Sequence, residues 1–251
     1  MAGKNSYIAV FDSGIGGISV LQELLKLMPD ERYLYYGDNA NAPYGERTTE
    51  NVRQLTMEAA KMLLGRDVKA LVVACNTATA AAIEALRQTY PDTIIVGIEP
   101  AVKLAADRCS GRIGVMATEV TLREEKLARL VERFSTAEMI PIHAPGLVPL
   151  IERGASEPEL EQYLKPILSP YAGKLEAVVL GCTHYPFAKK TIARLLPGTQ
   201  LLDGGAGTAR QTRRRLEGRD LLSDGPGQLQ IENSALDGEF AQRALKLLEE
   251  A

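Results

Sequence analysis

Short β-rich runs alternate with helix-forming stretches from one end of this chain to the other, and that alternation limits the fold before any motif is considered. The runs are YIAVFD (7–12), RYLYYGD (32–38), KALVVAC (69–75), TIIVGI (93–98), GRIGVMA (111–117), AEMIPIH (137–143), LEAVVLGC (175–182) and TQLLDG (199–204). Between them lie patterns such as Leu21, Leu24, Leu25 and Met28, whose i, i+3, i+4, i+7 spacing lines one buried face of a helix. Strand then helix, repeated, predicts an α/β protein with largely parallel sheet. Towards the end, GQLQIE (227–232) reads as an edge strand and ALDGEFAQRALKLLEEA (235–251) as an amphipathic helix.

The elements also repeat. IAVFDSG (8–14) can be laid on IGVMATE (113–119), which sets Ser13 opposite Thr118, and KALVVACNT (69–77) on EAVVLGCTH (176–184), which sets Cys75 opposite Cys182. Ser13 precedes Cys75 by 62 residues and Thr118 precedes Cys182 by 64. APYG (42–45) has a counterpart at a similar offset in VPLIERG (148–154). Any α/β chain repeats strand, loop and helix, but that does not make two cysteines coincide. The coincidence points to two similar half-domains.

Composition narrows the function. With 251 residues, 45% of them hydrophobic, the chain can bury a substantial core in one large domain or two small ones. No stretch approaches the roughly 18 to 20 apolar residues of a membrane span, and MAGKNSYIAVFDSG has no hydrophobic run long enough for a signal peptide. A cytoplasmic protein is expected. The net charge is -3, and the densest basic run, RQTRRRLEGR (210–219), reads as the solvated face of a helix rather than a nucleic-acid patch. Cys75, Cys109 and Cys182 are widely separated with no CxxC pair, so neither a disulfide framework nor a zinc site is implied. With only two histidines, no metal is expected.

In open parallel sheets, ligands bind beyond the carboxyl ends of the strands, where helix N-termini converge. Those ends here read Asp12-Ser13-Gly14, Gly37-Asp38, Cys75-Asn76-Thr77, Ala117-Thr118, Gly181-Cys182-Thr183-His184 and Asp203-Gly204-Gly205. DSGIGGIS is not a dinucleotide fingerprint, because Ser19 stands where the third glycine belongs; GAGTAR fails likewise at Arg210. A turn aiming backbone N–H groups at an anion would still suit a carboxylate substrate, with Ser13, Asn76, Thr77, Thr118 and Thr183 as neutral donors. Each hydroxyl taken alone also fits a helix N-cap.

A free thiol, with a pKa of about 8.5, is activated at a helix N-terminus. Cys75 is followed by the helix-like NTATAAAIEAL, and Cys182 by THYPFAKKTIARLL with Pro186 suited to a first helical turn. Asp12 and His184 are the candidates to exchange protons with the sulfurs. Cys109 and His143 have no comparable setting. Two acid/base groups of one kind on opposite faces of a carbon would invert it, one removing a proton as the other delivers one. The residue types alone equally allow a Cys–His hydrolase using Cys182 and His184.

The motifs AVFDSGIGGISVL, YYGDNANAPYGERT, VVACNTATA, GVMATEVT, LVPLIERG and VVLGCTHYPF resemble those of the cofactor-independent aspartate/glutamate racemases. The resemblance implies two pseudo-symmetric α/β domains, each a mostly parallel sheet flanked by helices, with the active site in the cleft between them. It places the first domain at 1–97 plus 206–251, completed by the last helix, and the second at 98–205. It implies a PLP-free, two-base racemase of glutamate serving peptidoglycan synthesis, in which Cys75 takes the α-proton from D-glutamate and Cys182 from L-glutamate. Asp12 and His184 match the residues that assist the thiols, and Glu152 a further acidic residue of the site. Asp12 and Ser13, Tyr44 and Gly45, Asn76 and Thr77, and Thr183 and His184 would hold glutamate, with Thr118 and Thr121 nearby and Pro43 shaping the loop. Aspartate remains the alternative substrate. The resemblance further implies a homodimer with no cofactor; DNA gyrase, a partner of some members, has no support in this sequence. The N-terminal extension linked with precursor control in some members is expected to be missing. The sequence departs from the family at Arg47-Thr48, where Lys-Ser is usual, and in ATEVTLREEK, which lacks the Ser and Tyr often found after the second threonine.

Overall fold

The computed structural model describes residues 3–98, 101–118, 121 and 137–249. The first part of the chain runs β1 (Tyr7–Asp12), α1 (Ile18–Leu27), β2 (Arg32–Gly37), α2 (Thr49–Leu64), β3 (Val68–Val73), α3 (Asn76–Thr89) and β4 (Ile94–Gly97). Then come α4 (Val102–Arg108), β5 (Arg112–Ala117), β6 (Glu138–Ile142), α5 (Leu147–Glu152), α6 (Glu157–Leu168), β7 (Ala177–Gly181), α7 (Lys189–Leu195) and β8 (Gln200–Asp203). The chain closes with α8 (Gly205–Glu217), β9 (Gln228–Asn233) and α9 (Phe240–Glu249). It divides into two compact units, Met1–Ile98 with Gly205–Ala251, and Glu99–Gly204.

The first unit holds a five-stranded, wholly parallel sheet in the order β4-β3-β1-β2-β9. Its central strands are apolar on both faces, as a sheet covered on both sides requires. Ala9, Phe11, Leu71 and Val73 join residues of α2 and α3 in one cluster. Ile8, Val10, Ala70 and Val72, pointing the other way, are equally buried. The expected edge strand at GQLQIE is β9, paired only with β2. Leu21 and Leu24 of α1, and Met28 just past its end, are buried as the spacing predicts, while Leu25 is only half-buried. The arginines of RQTRRRLEGR lie exposed along and just beyond α8, whose Thr208, Thr212 and Leu216 face inward. The final helix is shorter than its pattern implies. Ala235–Glu239 form a loop in which the Asn233 side chain bonds the Asp237 backbone and Leu236 adopts φ 54°, so α9 starts only at Phe240.

The second unit holds a four-stranded parallel sheet in the order β6-β5-β7-β8. One face packs Met116, Val178 and Leu180 against α5, α6 and α7, and the other packs Ile113, Val115 and Val179 against α4. Laying β1 to β4 on β5 to β8 gives the same strand order, with β9 as an extra edge strand in the first unit. The pairing register repeats too: Phe11 stands beside Val73, and Met116 beside Leu180. The likeness of APYG to VPLIERG is one of position only. Tyr44–Glu46 is a 3-10 turn, whereas Leu147–Glu152 is α-helical. Apart from Ala117, Thr118 and Thr121, the ATEVTLREEK segment lies outside the described residues.

The sheet of the first unit is tied to its returning C-terminal segment by a buried ion pair. Lys69 Nζ lies 2.5 Å from Glu31 Oε2, with side chains 0% and 2% exposed. Lys69 also donates to the carbonyls of Leu221 (2.9 Å) and Lys4, and Glu31 Oε1 accepts the Ser223 N–H (2.9 Å). Burial, the larger influence, lowers the Lys69 pKa, and Glu31 partly offsets it. Lys69→Met leaves a buried carboxylate uncompensated and should lose on the order of 3–5 kcal/mol in urea unfolding. The pair replacement Lys69→Met, Glu31→Leu should lose less; an unchanged midpoint for Lys69→Met alone would contradict a buried pair.

Candidate active site

In the first unit, β1 and β3 are direct neighbours, so the residues that follow their carboxyl ends come together. Ser13 Oγ lies 3.5 Å from Cys75 Sγ. Cys75 is also the N-cap of α3, its sulfur accepting the Ala78 N–H at 3.4 Å. A helix N-terminus favours negative charge, so this sulfur occupies the position expected from the sequence. Asn76 and Thr77, in the first turn, are buried, and Asn76 Oδ1 has no hydrogen-bond partner among the described residues. A buried acceptor left open in this way suits a ligand donor.

Asp12, at the end of β1, is fully buried, and its Oδ1 accepts the Gly14 N–H at 2.9 Å. Gly17, the last glycine of DSGIGG, serves this close packing. A Cβ on Gly17 would stand 2.6 Å from Asp12 Cβ and 3.0 Å from the Tyr35 hydroxyl. Tyr44 and Gly45 open a 3-10 turn behind Pro43, whose peptide bond with Ala42 is cis. The Tyr44 hydroxyl donates to Asp38 Oδ2 at 2.6 Å. Burial first, then Asp38, with Cys75 and Asp12 adding, raise the Tyr44 pKa far above its ordinary value. Asp38 received no role from the sequence, although its place at a strand end beside Asp12 was a usable signal. Of the departures from the family pattern, Thr48 caps α2 through the Asn51 N–H, and Arg47 bonds the Asn41 carbonyl and the Asn51 side chain.

In the second unit, Cys182 directly follows β7, and His184 Nδ1 lies 3.7 Å from its sulfur. His184 Nε2 reaches Glu152 Oε1, at the end of α5, at 2.6 Å. Residues 152, 182 and 184 thus form one chain along which a proton can pass. The largest influence on His184 is burial, which disfavours its charge, but hydrogen bonds and charge from Cys182 and Glu152 outweigh it. The imidazole is held well above its ordinary pKa. The expected helix N-terminus at Cys182 is not formed in the same way. Pro186 lies in a 3-10 turn, Tyr185–Ala188, and α7 begins only at Lys189, so imidazole takes the place that backbone N–H holds at Cys75. Thr183 is buried, and Thr118 Oγ1 lies 3.0 Å from Thr121 Oγ1. Tyr185, unassigned from the sequence, is buried, and burial followed by Cys182 raises its pKa well above the ordinary value.

The remaining candidates stand apart. Cys109 is buried at the end of α4, where burial, then Glu176, pushes its thiol up, and His143 is exposed. Among the described residues no three His, Cys, Asp or Glu are grouped to hold a metal ion, and no helix is long and apolar enough to cross a membrane.

A histidine whose folded pKa is raised above the unfolded value of about 6.5 adds stability that is fully present below that pH. The contribution is lost as pH rises through the folded pKa. Glu152→Gln removes one of the two supports, so the His184 transition should move down towards pH 6.5. NMR titration can follow it, since only two histidines exist and His184→Asn identifies the signal. An unshifted transition would show that Glu152 does not act on the imidazole.

Residues 16–212 match the family model described as Asp/Glu/Hydantoin racemase. The chain is 46% identical over 253 residues to the glutamate racemase of Clostridium botulinum, covering 98% of each. It is similar to the solved glutamate racemase of Francisella tularensis in complex with D-glutamate, with TM-score 0.85, 27% identity, and 98% of this chain and 94% of that one covered. The Escherichia coli glutamate racemase in complex with L-glutamate and the activator UDP-MurNAc-ala is similar at TM-score 0.83 and 31% identity, covering 98% and 95%.

Proposed function

The chain belongs to the Asp/Glu/Hydantoin racemase family, and from that premise we propose that it interconverts L- and D-glutamate by a PLP-independent, two-thiol mechanism. The observation that carries the proposal is the repeat: each unit has a cysteine just past the same strand, and each sulfur has its own polar partner. Relatives that hold D-glutamate and L-glutamate supply the substrate class.

In the proposed reaction one sulfur, as thiolate, removes the α-proton and becomes a thiol. The other, as thiol, delivers its proton to the opposite face of the α-carbon and becomes a thiolate. No net proton is gained or lost. The product has the opposite configuration, and the enzyme is left poised for the reverse direction. Cys75 acts on D-glutamate and Cys182 on L-glutamate, assisted by Asp12 and by His184 with Glu152. Ser13, Tyr44, Gly45, Asn76, Thr77, Thr118, Thr121 and Thr183 hold the substrate, with the open Asn76 oxygen an acceptor for its ammonium group. The proposed setting is a cytoplasmic homodimer supplying D-glutamate to peptidoglycan.

A second reading has one specific observation in its favour: the 3.7 Å contact of Cys182 with His184 is also that of a Cys–His hydrolase. Either enantiomer of glutamate, incubated with the protein in D2O without added cofactor, should take up deuterium at the α-carbon and lose optical activity, faster than aspartate does. Cys75→Ala and Cys182→Ala should each reduce racemisation by on the order of 10²–10⁴-fold, the range for a lost acid/base group. Undiminished turnover in Cys75→Ala would favour the hydrolase, and absence of exchange in folded protein would overturn racemisation.

A further inference from the structure

Asp38 is a carboxylate with 4% of its surface exposed, one residue beyond β2 at the end of the sheet that carries Asp12 and Cys75. Its own N–H is bonded to the Asp12 carbonyl at 2.9 Å. A carboxylate so buried is costly unless its oxygens are satisfied. Here they are spent on one loop. Oδ2 accepts the Tyr44 hydroxyl at 2.6 Å, and the Asn41 amide lies 3.1 and 3.2 Å from Oδ1 and Oδ2. On the other side of the same loop, Arg47 Nε donates to the Asn41 carbonyl at 2.8 Å, and Arg47 Nη1 to Asn51 Oδ1 in α2 at 3.0 Å.

The loop is therefore gripped from within by Asp38 and from outside by Arg47. What it carries inward is the Tyr44 ring, 1% exposed, in the apolar cluster that also contains Phe11, Cys75 and Ala78. The 3-10 turn of Tyr44–Glu46 packs against α3, the helix that Cys75 caps. The phenol has a single O–H, which it donates to Asp38. The hydroxyl's structural task is thus to fasten the turn while the ring packs beside Cys75 in the apolar cluster.

We propose that Asp38 is a positioning residue for the surroundings of Cys75 in the first unit: its carboxylate, through Tyr44 and Asn41, holds residues 42–47 against α3 and limits access to the Cys75 sulfur. This rests on the glutamate reading for its kinetic consequence but not for its structural one. Asp38→Ala removes the acceptor, whereas Asp38→Asn keeps one for the Tyr44 hydroxyl. Tyr44→Phe removes the same hydrogen bond from the other end.

The test pairs steady-state kinetics on glutamate with the rate of iodoacetamide alkylation at each cysteine, read by peptide mass spectrometry. Asp38→Ala should raise KM on the order of tenfold, the scale of a lost charge-assisted hydrogen bond, while kcat changes much less. Cys75 alkylation should quicken in that variant, with Cys109 and Cys182 unaffected. Asp38→Asn should restore both readouts towards wild type, Tyr44→Phe should reproduce Asp38→Ala, and the double variant should be no worse than either single one. A kcat loss shared equally by Asp38→Asn and Asp38→Ala, with KM and Cys75 alkylation unchanged, would overturn the proposal in favour of proton transfer by the carboxylate. Additive effects of Asp38→Ala and Tyr44→Phe would overturn it as well. If Asp38→Ala does not fold, Tyr44→Phe and Asp38→Asn decide by the same alkylation readout. If the wild type leaves glutamate unchanged, the proposed function fails, while alkylation still decides the role of Asp38.

Discussion

The parallel pairing of β1 with β3, and of β5 with β7, is the constraint on which the surroundings of both cysteines depend. Parallel neighbours end at the same edge of a sheet, so whatever follows their last residues must share that edge. Phe11 in register with Val73 brings Ser13 to Cys75, and the matching register of Met116 with Leu180 sets Thr118 beside the strand that ends before Cys182. The backbone hydrogen bonds that make the sheet thus also set the residues around each sulfur. Ser13 and Cys75, 62 residues apart in sequence, become neighbours without any long-range device beyond the ladder.

Strand positions were legible because both faces of each central strand are buried, which leaves short apolar runs bounded by polar turns. The two cysteines were legible for the same reason, since the first polar or reactive residue after such a run marks the sheet edge. Features decided by side chains reaching across several residues were not. The 235–239 stretch has the apolar spacing of a helix, but Asn233 bonding the Asp237 backbone and Leu236 in a left-handed conformation make it a loop. The turn after Cys182 looked like a helix start because Pro186 suits a first turn, yet proline is equally at home in the 3-10 turn found there. Asp38 was visible as a strand-end carboxylate but not its role, because that lies in a bond to Tyr44, and no pattern in a single sequence states that a hydroxyl six residues on will fold back.

The repeat is faithful in backbone and unfaithful in the groups it sets around each sulfur. Cys75 is met by a backbone N–H and a serine hydroxyl, groups that keep their protons near neutral pH. Cys182 is met by an imidazole whose charge depends on pH and on Glu152. A helix terminus offers a fixed dipole, whereas an imidazole offers a proton that can leave. Two sulfurs equivalent by topology are therefore contacted by different groups, a helix N-terminus and a hydroxyl at Cys75 and an imidazole at Cys182.

The difference follows from local structure. An alanine-rich stretch after Cys75 lets α3 begin at once and aim its first N–H groups at the sulfur. After Cys182 the chain makes a 3-10 turn before α7, and the histidine two residues on lies near the sulfur instead. On the second side α5 delivers Glu152 to that histidine, while on the first side the corresponding position in the topology is a 3-10 turn delivering Tyr44. What duplication leaves common to both units is the sheet, and what separates their chemistry is the choice of helix or turn after two of its strands.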